Sequence, residues 1–318
     1  MKIFKKIIIA LLVLVTLGTG AGFYYVYSKL DSIYVEDKSA VDSEESNDEG
    51  HIVDGVTNVL LVGTDGRRDD KGNRSDGMMI ATMNYNTKQV KLSSIARDTY
   101  VEIPGYGKEK ITHAYAYEGI DLLKEVFKVN FDIDIDKYIV VNFISFIDVI
   151  DEIGGVVVNV TPEDIKPLNS VIDSCYSYVE DRANIQAKQY IEEAGNQRLN
   201  GYQALAFSRI RKHDSAYDRD GRHREVAESI YQQFIKTGLD EFKNSTDIIL
   251  NNTRTNISPT EMLDLGFTAF EIGDTQIEQF QFPLEQHRKG HIIDNHTGWV
   301  IEWEKEPNIQ AWHQFIYE

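Results

Sequence analysis

Two aspartates stand beside apolar, β-branched runs: Asp65, in Gly63-Thr64-Asp65-Gly66-Arg67, ends the run Asn58 to Thr64, and Asp76, in Arg74-Ser75-Asp76, precedes the run Met78 to Met83. Polar loops at strand ends are where open α/β sheets hold ligands. Two carboxylates on neighbouring loops suit Mg²⁺ (or Mn²⁺), which takes one or two carboxylates and completes its shell with phosphate oxygens and water. The same residues would serve equally as caps of turns or helices. Neither GxGxxG nor a P-loop is present, which argues against a nucleotide fold.

Cationic groups follow. Arg97-Asp98 comes directly after the run Val90 to Ile95, and Lys110 precedes Ile111-Thr112-His113. Taken singly, each reads as one half of a structural ion pair. The segment Arg209 to Arg224 says more, with six Lys/Arg (Arg209, Arg211, Lys212, Arg219, Arg222, Arg224) against three aspartates, plus His213 and His223. The whole chain has 33 Lys+Arg against 51 Asp+Glu, a net charge of −18, so this island is local and not a bulk property. Arginine forks bind phosphate bidentately and stay charged at any working pH. A solvated face neutralised by nearby acids is the alternative; Arg209 and Arg211 follow the apolar Ala204-Leu205-Ala206-Phe207, which sets them at the edge of a core and favours phosphate. His287, His291 and His296 with Asp294 offer metal-ligand chemistry, but they lie in a polar stretch where solvated side chains are expected.

These groups need a scaffold. Strand patterns cover Asn58 to Thr64, Met79 to Met83, Val90 to Ile95, Tyr138 to Ile144 and Val156 to Val160. Helical spacing covers His113 to Lys128, Tyr202 to Arg209, Arg222 to Thr237 and Pro259 to Glu271, which predicts an α/β fold with helices over a central sheet. Hydrophobic residues make up 42% of the 318, enough for a packed core, and the single cysteine, Cys175, excludes an internal disulfide. The acidic balance excludes a generally basic nucleic-acid binder, so no nucleic-acid partner is expected.

Ahead of the domain, Ile7 to Ser28 carries no charged residue and is flanked by Lys2, Lys5, Lys6 and Lys29. At about 1.5 Å per residue this run spans a hydrocarbon core of about 30 Å. The lysines hold its N-terminal end in the cytoplasm and send the rest outside. Gly18 to Gly22 would suit a signal-peptide cleavage site; the apolar run continues through Phe23, Tyr24, Tyr25 and Val26, which favours a retained anchor. The expected organisation is a cytoplasmic tail (1–6), a transmembrane helix (7–28), an acidic extracellular linker (29–57), an ordered domain (58–285) and a polar C-terminal tail (286–318).

In combination, LLVGTDGR, NRSDGMM, SIARDTYVEIPG, KITHAYAYEG, YIVVNF...IDEIGGVVVNV, LNGYQALAFSRIR and RDGRHREV resemble the LytR-CpsA-Psr family of membrane-anchored cell-wall enzymes, over roughly Asn58 to Gln233. The resemblance implies a three-layer α/β/α sandwich around a mixed sheet, with a hydrophobic cavity for a polyprenyl chain. It further implies transfer of an anionic glycopolymer, of teichoic acid or capsule type, from a polyprenyl pyrophosphate carrier to peptidoglycan at a Gram-positive type membrane. Residue by residue, it makes Asp65 and Asp76 the magnesium-side carboxylates and Arg74, Arg97, Lys110, Arg209, Arg211 and Arg219 the pyrophosphate ligands. Arg97 and Arg211 would act at the transferred phosphate, and either Asp76 or Asp98 would accept the hydroxyl proton. Phe127, Phe131, Tyr138, Val140, Phe143, Phe146, Val149 and Ile150 supply apolar surface for the lipid, with a filled core as the alternative.

Three positions depart from the family pattern. His223 replaces a glutamine that follows arginine, and there it would donate a ring N–H to phosphate. Ala96 replaces a proline common before the Arg-Asp pair, which is expected to loosen that turn. Glu118-Gly119 replaces a double glycine. A pyrophosphatase, with water as acceptor, and a non-catalytic polymer-binding or regulatory protein are the competing functions; the six-residue tail is too short to read DNA.

Overall fold

The apolar runs pair into one six-stranded sheet. The computed structural model describes residues 55–66, 72–182, 187–210, 216–251, 253–294 and 297–318. In chain order the elements are β1 (Val56–Thr64), β2 (Ser75–Asn84), β3 (Gln89–Ile95), a hairpin of β4 (Tyr100–Ile103) and β5 (Gly107–Lys110), α1 (Ile111–Glu118), α2 (Ile120–Phe131), β6 (Lys137–Val141), α3 (Phe143–Glu152), β7 (Val156–Val160), α4 (Pro162–Tyr176) and β8 (Gly195–Leu199). There follow α5 (Gly201–Ser208), the long α6 (Ala216–Asn251), β9 (Thr253–Thr255), α7 (Pro259–Ile272), β10 (Glu278–Phe282), β11 (Arg288–Ile292), β12 (Trp299–Trp303) and α8 (Lys305–Tyr317). The main sheet has the order β10-β3-β2-β1-β6-β9 and is mixed: β1 runs parallel to β6 and β10 to β3, while β2 is antiparallel to both β1 and β3.

Strand alternation divides the core between the two faces. Leu60, Val62, Met78, Ile80, Tyr138 and Val140 face α1, α2 and α8. On the other face Val90, Leu92, Ala81 and Met83 pack against Ala227 and Tyr231 of α6 and Ile272 of α7. A separate cluster joins α3, α4 and α5 to the β7–β8 pair. Helices therefore cover both faces of a mixed central sheet.

Several boundaries differ from the sequence reading. β6 stops at Val141 because Asn142 caps α3, accepting from the amides of Ile144 and Ser145 while Ser145 returns a bond to the Asn142 amide. A capping box of this kind outweighs the β-branched pattern through Ile144. The helix expected over His113 to Lys128 is two helices, α1 and α2, jointed at Gly119, whose φ of 79° no ordinary residue adopts readily.

The larger correction concerns residues 286–318. They form β11, β12 and α8, not a solvated tail. Trp312 is fully buried, its ring 5.4 Å from Phe131 and 4.5 Å from Phe282, and Ile316 one turn on is also fully buried. Trp303 donates its indole N–H to the Tyr100 carbonyl. Val300, Ile301, Trp312 and Ile316 are fully buried although the segment is polar on average, so the average concealed a core contribution. Among the described residues no helix is long and apolar enough to cross a membrane. The expected anchor, Ile7 to Ser28, and residues 29–54 of the expected linker lie outside the described residues.

Candidate active site

β1 and β2 pair residue for residue from Val56↔Asn84 to Gly63↔Gly77, and then the register slips so that Thr64 faces Ser75. Asp76 is the extra residue of this β-bulge. Bulges break strand alternation and re-aim a side chain, which is how the carboxylate is turned toward the end of β3. There the Arg97 guanidinium donates from Nη1 to Asp76 Oδ1 at 2.6 Å. Arg97 Nε lies 3.6 Å from Asp98 Oδ2, and Lys110 Nζ lies 3.7 Å from Asp98 Oδ1, both beyond hydrogen-bond reach. Asp76, Arg97, Asp98 and Lys110 thus form one row of alternating charge.

The backbone holds this row firmly. The Thr112 amide at the start of α1 donates to the Arg97 carbonyl at 3.3 Å, and its hydroxyl donates to the Ser75 carbonyl at 2.9 Å. Ala96 does not loosen the turn. Its N–H donates to the Phe282 carbonyl at 3.0 Å, a bond proline would lack, and its own carbonyl accepts both the amide and the hydroxyl of Thr99.

Arg219, on the first turns of α6, is only 8% exposed, and its Nε and Nη2 have no hydrogen-bond partner. Burial and the neighbouring Arg97 push its pKa down, while Asp220, Asp76 and Asp98 oppose them, so Arg219 belongs to the same electrostatic group. A buried guanidinium with unmade hydrogen bonds is costly, and an anion brought to it recovers that cost.

The rest of the arginine island divides by its helical positions. Arg222 donates from Nη2 to the Ile210 carbonyl at 3.1 Å and lies 3.6 Å from Asp164, and Arg224 donates to Gln279 at 3.0 Å and to the Ser94 hydroxyl. Both brace α6 to its neighbours. His223 meets the Ser208 carbonyl through Nε2 at 2.9 Å. A carbonyl only accepts, so Nε2 carries the proton, and Nδ1 is left without one. Burial first, then Arg219 and Arg222, hold the His223 pKa down to about 4. The expected role as N–H donor to phosphate is therefore corrected: the ring's one N–H links α6 to the end of α5.

Other expected ligands are placed differently. Asp65 Oδ1 accepts the Arg74 amide at 2.7 Å, and the Asp65 amide donates to the Arg74 carbonyl at 3.1 Å, closing the neck of the loop between β1 and β2; the Arg74 side chain is exposed. Arg209 sits over the Phe143 ring, 4.6 Å from its centroid, and donates to Cys175 and to the Tyr178 hydroxyl. None of these contacts joins it to the Asp76–Arg97 row. Arg211 and His296 lie outside the described residues, which contain no cluster of three or more His, Cys, Asp or Glu fit to hold a metal. Asp65 and Asp76, the two carboxylates expected to hold a cation, each have one oxygen accepting a hydrogen bond already, from the Arg74 amide and from Arg97.

The expected lipid lining does not form one cavity. Phe127, Phe131, Tyr138 and Val140 pack with Trp312 and Phe282 in a filled core on one face of the sheet. Phe143, Phe146 and Ile150 belong to the cluster around α3 and α5, with Ile150 fully buried. Sequence reading missed the apolar residues that remain accessible. Leu61 pairs with Met79 and with Ile139, and Val141 lies alongside, all on the sheet face crossed by α6 and all only partly buried. α6 packs on β2, β3 and β10 toward one edge of the sheet and on β9 at the other, so β1 and β6 lie between its supports. Alternation within the predicted strands would have put Leu61, Met79 and Ile139 on one face; their partial burial depends on where α6 crosses.

A family model described as the LytR_cpsA_psr family matches residues 22–312. The chain belongs to that family. A polyisoprenyl-teichoic acid–peptidoglycan teichoic acid transferase, TagU, from Bacillus licheniformis is 34% identical over 270 residues, covering 82% of this chain and 81% of the relative. The Bacillus subtilis TagU is 31% identical over 264 residues, covering 81% and 79%. Among solved structures, TagT bound to LI-WTA superposes with a TM-score of 0.69 at 26% identity, covering 89% of this chain and 98% of that one. The YwtF (TagT) structure with bound octaprenyl pyrophosphate lipid shares the fold, with a TM-score of 0.63 at 23% identity over 89% and 99%. For this family member, the likeness agrees with the mixed central sheet and its helical layers.

Proposed function

We propose that this chain is a membrane-held phosphotransferase. It moves an anionic glycopolymer of teichoic acid type from a polyprenyl pyrophosphate carrier to peptidoglycan. One observation carries the reading: buried Arg219, with two nitrogens lacking partners, beside the Asp76–Arg97–Asp98 row. That arrangement calls for a multiply charged anion, and a diphosphate meets it with several oxygens. The TagU relatives, named as teichoic acid transferases, support the substrate class. The charge-free run Ile7 to Ser28 supports an anchor with the domain outside the cell.

In this reading Asp65 and Asp76 would hold Mg²⁺, whose chemistry when bound would be to offset charge on the phosphate oxygens. Arg97 and Arg219 supply fixed positive charge to the transferred group, the main source of catalysis in phosphoryl transfer. Asp98 receives the acceptor proton, because Asp76 already accepts a short bond from Arg97 whereas neither Asp98 oxygen is within hydrogen-bond distance of its cations. The acceptor hydroxyl oxygen forms the new P–O bond, the bridging P–O bond breaks, and polyprenyl phosphate leaves with the electron pair. The partly buried row Leu61, Met79, Ile139 and Val141 beneath α6 takes the polyprenyl chain.

The test is to incubate the full-length protein in detergent with a polyprenyl-pyrophosphate-linked glycopolymer, Mg²⁺ and peptidoglycan oligomers, and to identify products by mass spectrometry. A phosphodiester conjugate is expected. Release of the glycopolymer phosphate without conjugation would replace transfer by hydrolysis.

A further inference from the structure

Tyr106 and Tyr117 stack face to face in solvent. Their ring centroids are 4.4 Å apart at 14°, yet the residues remain 49% and 43% exposed. Each ring covers one side of the other and leaves a broad apolar face in water, which calls for a reason when two such faces adjoin.

The pair is built rather than incidental. Tyr106 is the tip of the β4–β5 hairpin, between Gly105 and Gly107, whose φ values of 78° and 79° set the turn, and its amide donates to the Ile103 carbonyl at 2.9 Å. Its hydroxyl donates to Glu118 Oε1 at 2.9 Å. Glu118 is the residue that departs from the family's double glycine, and here it fixes the Tyr106 ring over Tyr117. A ring held in place before a ligand arrives loses little freedom on binding.

The platform adjoins the phosphate-reading row. α1 begins at the Thr112 contacts with Arg97 and Ser75, and Tyr117 lies five residues further along the same helix, about 7.5 Å at the usual helical rise. A glycan whose hydroxyl reaches the row extends across this distance within a few sugar units. Glu118 in direct contact with Tyr106, and Glu109 acting on Tyr117 against the single cation Arg74, leave more carboxylate than cationic charge at the rim, which disfavours a polyanionic chain. A neutral pyranose has no such penalty, and its C–H face packs on the electron-rich face of an aromatic ring.

We propose that Tyr106 and Tyr117, pinned by Glu118, form a stacking subsite for a neutral N-acetylated sugar of the acceptor glycan. The proposal rests on the transfer reading above, so its test has an arm free of catalysis. In that arm, the full-length protein in detergent is titrated by calorimetry with tetra-N-acetylchitotetraose. Binding is expected, weakened about tenfold in Tyr106→Ala and largely restored in Tyr106→Trp, with poly(glycerol phosphate) failing to compete. In the catalytic arm, Tyr106→Ala raises the KM for the peptidoglycan oligomer by a similar factor and leaves kcat and the donor KM unchanged. Absence of chitotetraose binding by the wild type, equal binding by Tyr106→Ala, or a change in the donor KM in place of the acceptor KM would each overturn the proposal. Chitotetraose binding that Tyr106→Ala weakens, in a protein that performs no transfer, would leave the glycan subsite standing and remove the transfer reading.

Discussion

Asp76 and Arg97 meet at 2.6 Å across the ends of β2 and β3, and they meet only because the sheet bulges at Asp76. Without the extra residue, strand alternation would direct Asp76 as an ordinary member of the ladder. Asp76→Asn keeps the shape and removes the charge, and Arg97→Lys keeps the charge and removes the fork. Both are expected to lower kcat by about 100-fold or more, the usual cost of removing one preorganised electrostatic group. Steady-state transfer rates check this, and wild-type rates in both variants would take the pair out of the chemistry.

Arg219 gives a prediction in which stability and function move in opposite directions. Its buried guanidinium lacks partners for Nε and Nη2, so the ligand-free protein bears an uncompensated cost. Arg219→Met should raise the Tm by a few degrees while weakening binding of farnesyl pyrophosphate by about 10- to 100-fold. Calorimetry and thermal melting together read both effects. A lower Tm with unchanged affinity would make Arg219 a structural residue.

His223 is neutral at physiological pH, its pKa held near 4 by burial, Arg219 and Arg222, and its Nε2–H is spent on Ser208. His223→Gln can donate the same bond, so its kcat/KM profile between pH 6 and 8 should parallel that of the wild type. His223→Phe leaves the Ser208 carbonyl unpaired and should cost about 1–3 kcal/mol in denaturant unfolding. A pH profile that flattens in the glutamine variant would restore the histidine as a titrating phosphate ligand.

The motifs and the strands that carry Asp65, Asp76 and Arg97 were legible because they combine β-branched runs with polar ends, a local pattern. The bulge was not, since it depends on the register between two strands. The role of His223 was misread for a related reason: the family pattern placed it where a glutamine meets phosphate, but its partner, Ser208, belongs to another helix. The same holds for residues 286–318, where Trp312 and Ile316 acquire meaning only against Phe131 and Phe282. If that segment were a tail, Trp312→Ala would be silent. Its full burial predicts a loss of about 3–5 kcal/mol in chemical denaturation.

Asp220 supplies the clearest pH dependence. It is 3% exposed, its Oδ2 has no hydrogen-bond partner, and burial raises its pKa to about 7, with Asp98 adding to the rise and Arg219, Arg224 and Arg97 opposing it. In the unfolded chain an aspartate titrates near ~3.9. Between these values the folded protein keeps a proton that the unfolded chain has released, so stability falls as pH rises through this window and levels off above about 7. The whole effect is at most on the order of 4 kcal/mol, from about 1.4 kcal/mol per pKa unit. Asp220→Asn cannot ionise and should remove this slope, melting close to the wild type at pH 4 and above it at pH 8. A diphosphate bound beside Arg219 would oppose ionisation of Asp220 further, so the wild type should take up protons when farnesyl pyrophosphate binds near pH 7.5, and Asp220→Asn should take up fewer. Calorimetry in two buffers of different ionisation enthalpy measures that uptake. Equal uptake in both proteins, or parallel melting curves across pH, would mean that Asp220 is already ionised in the folded state.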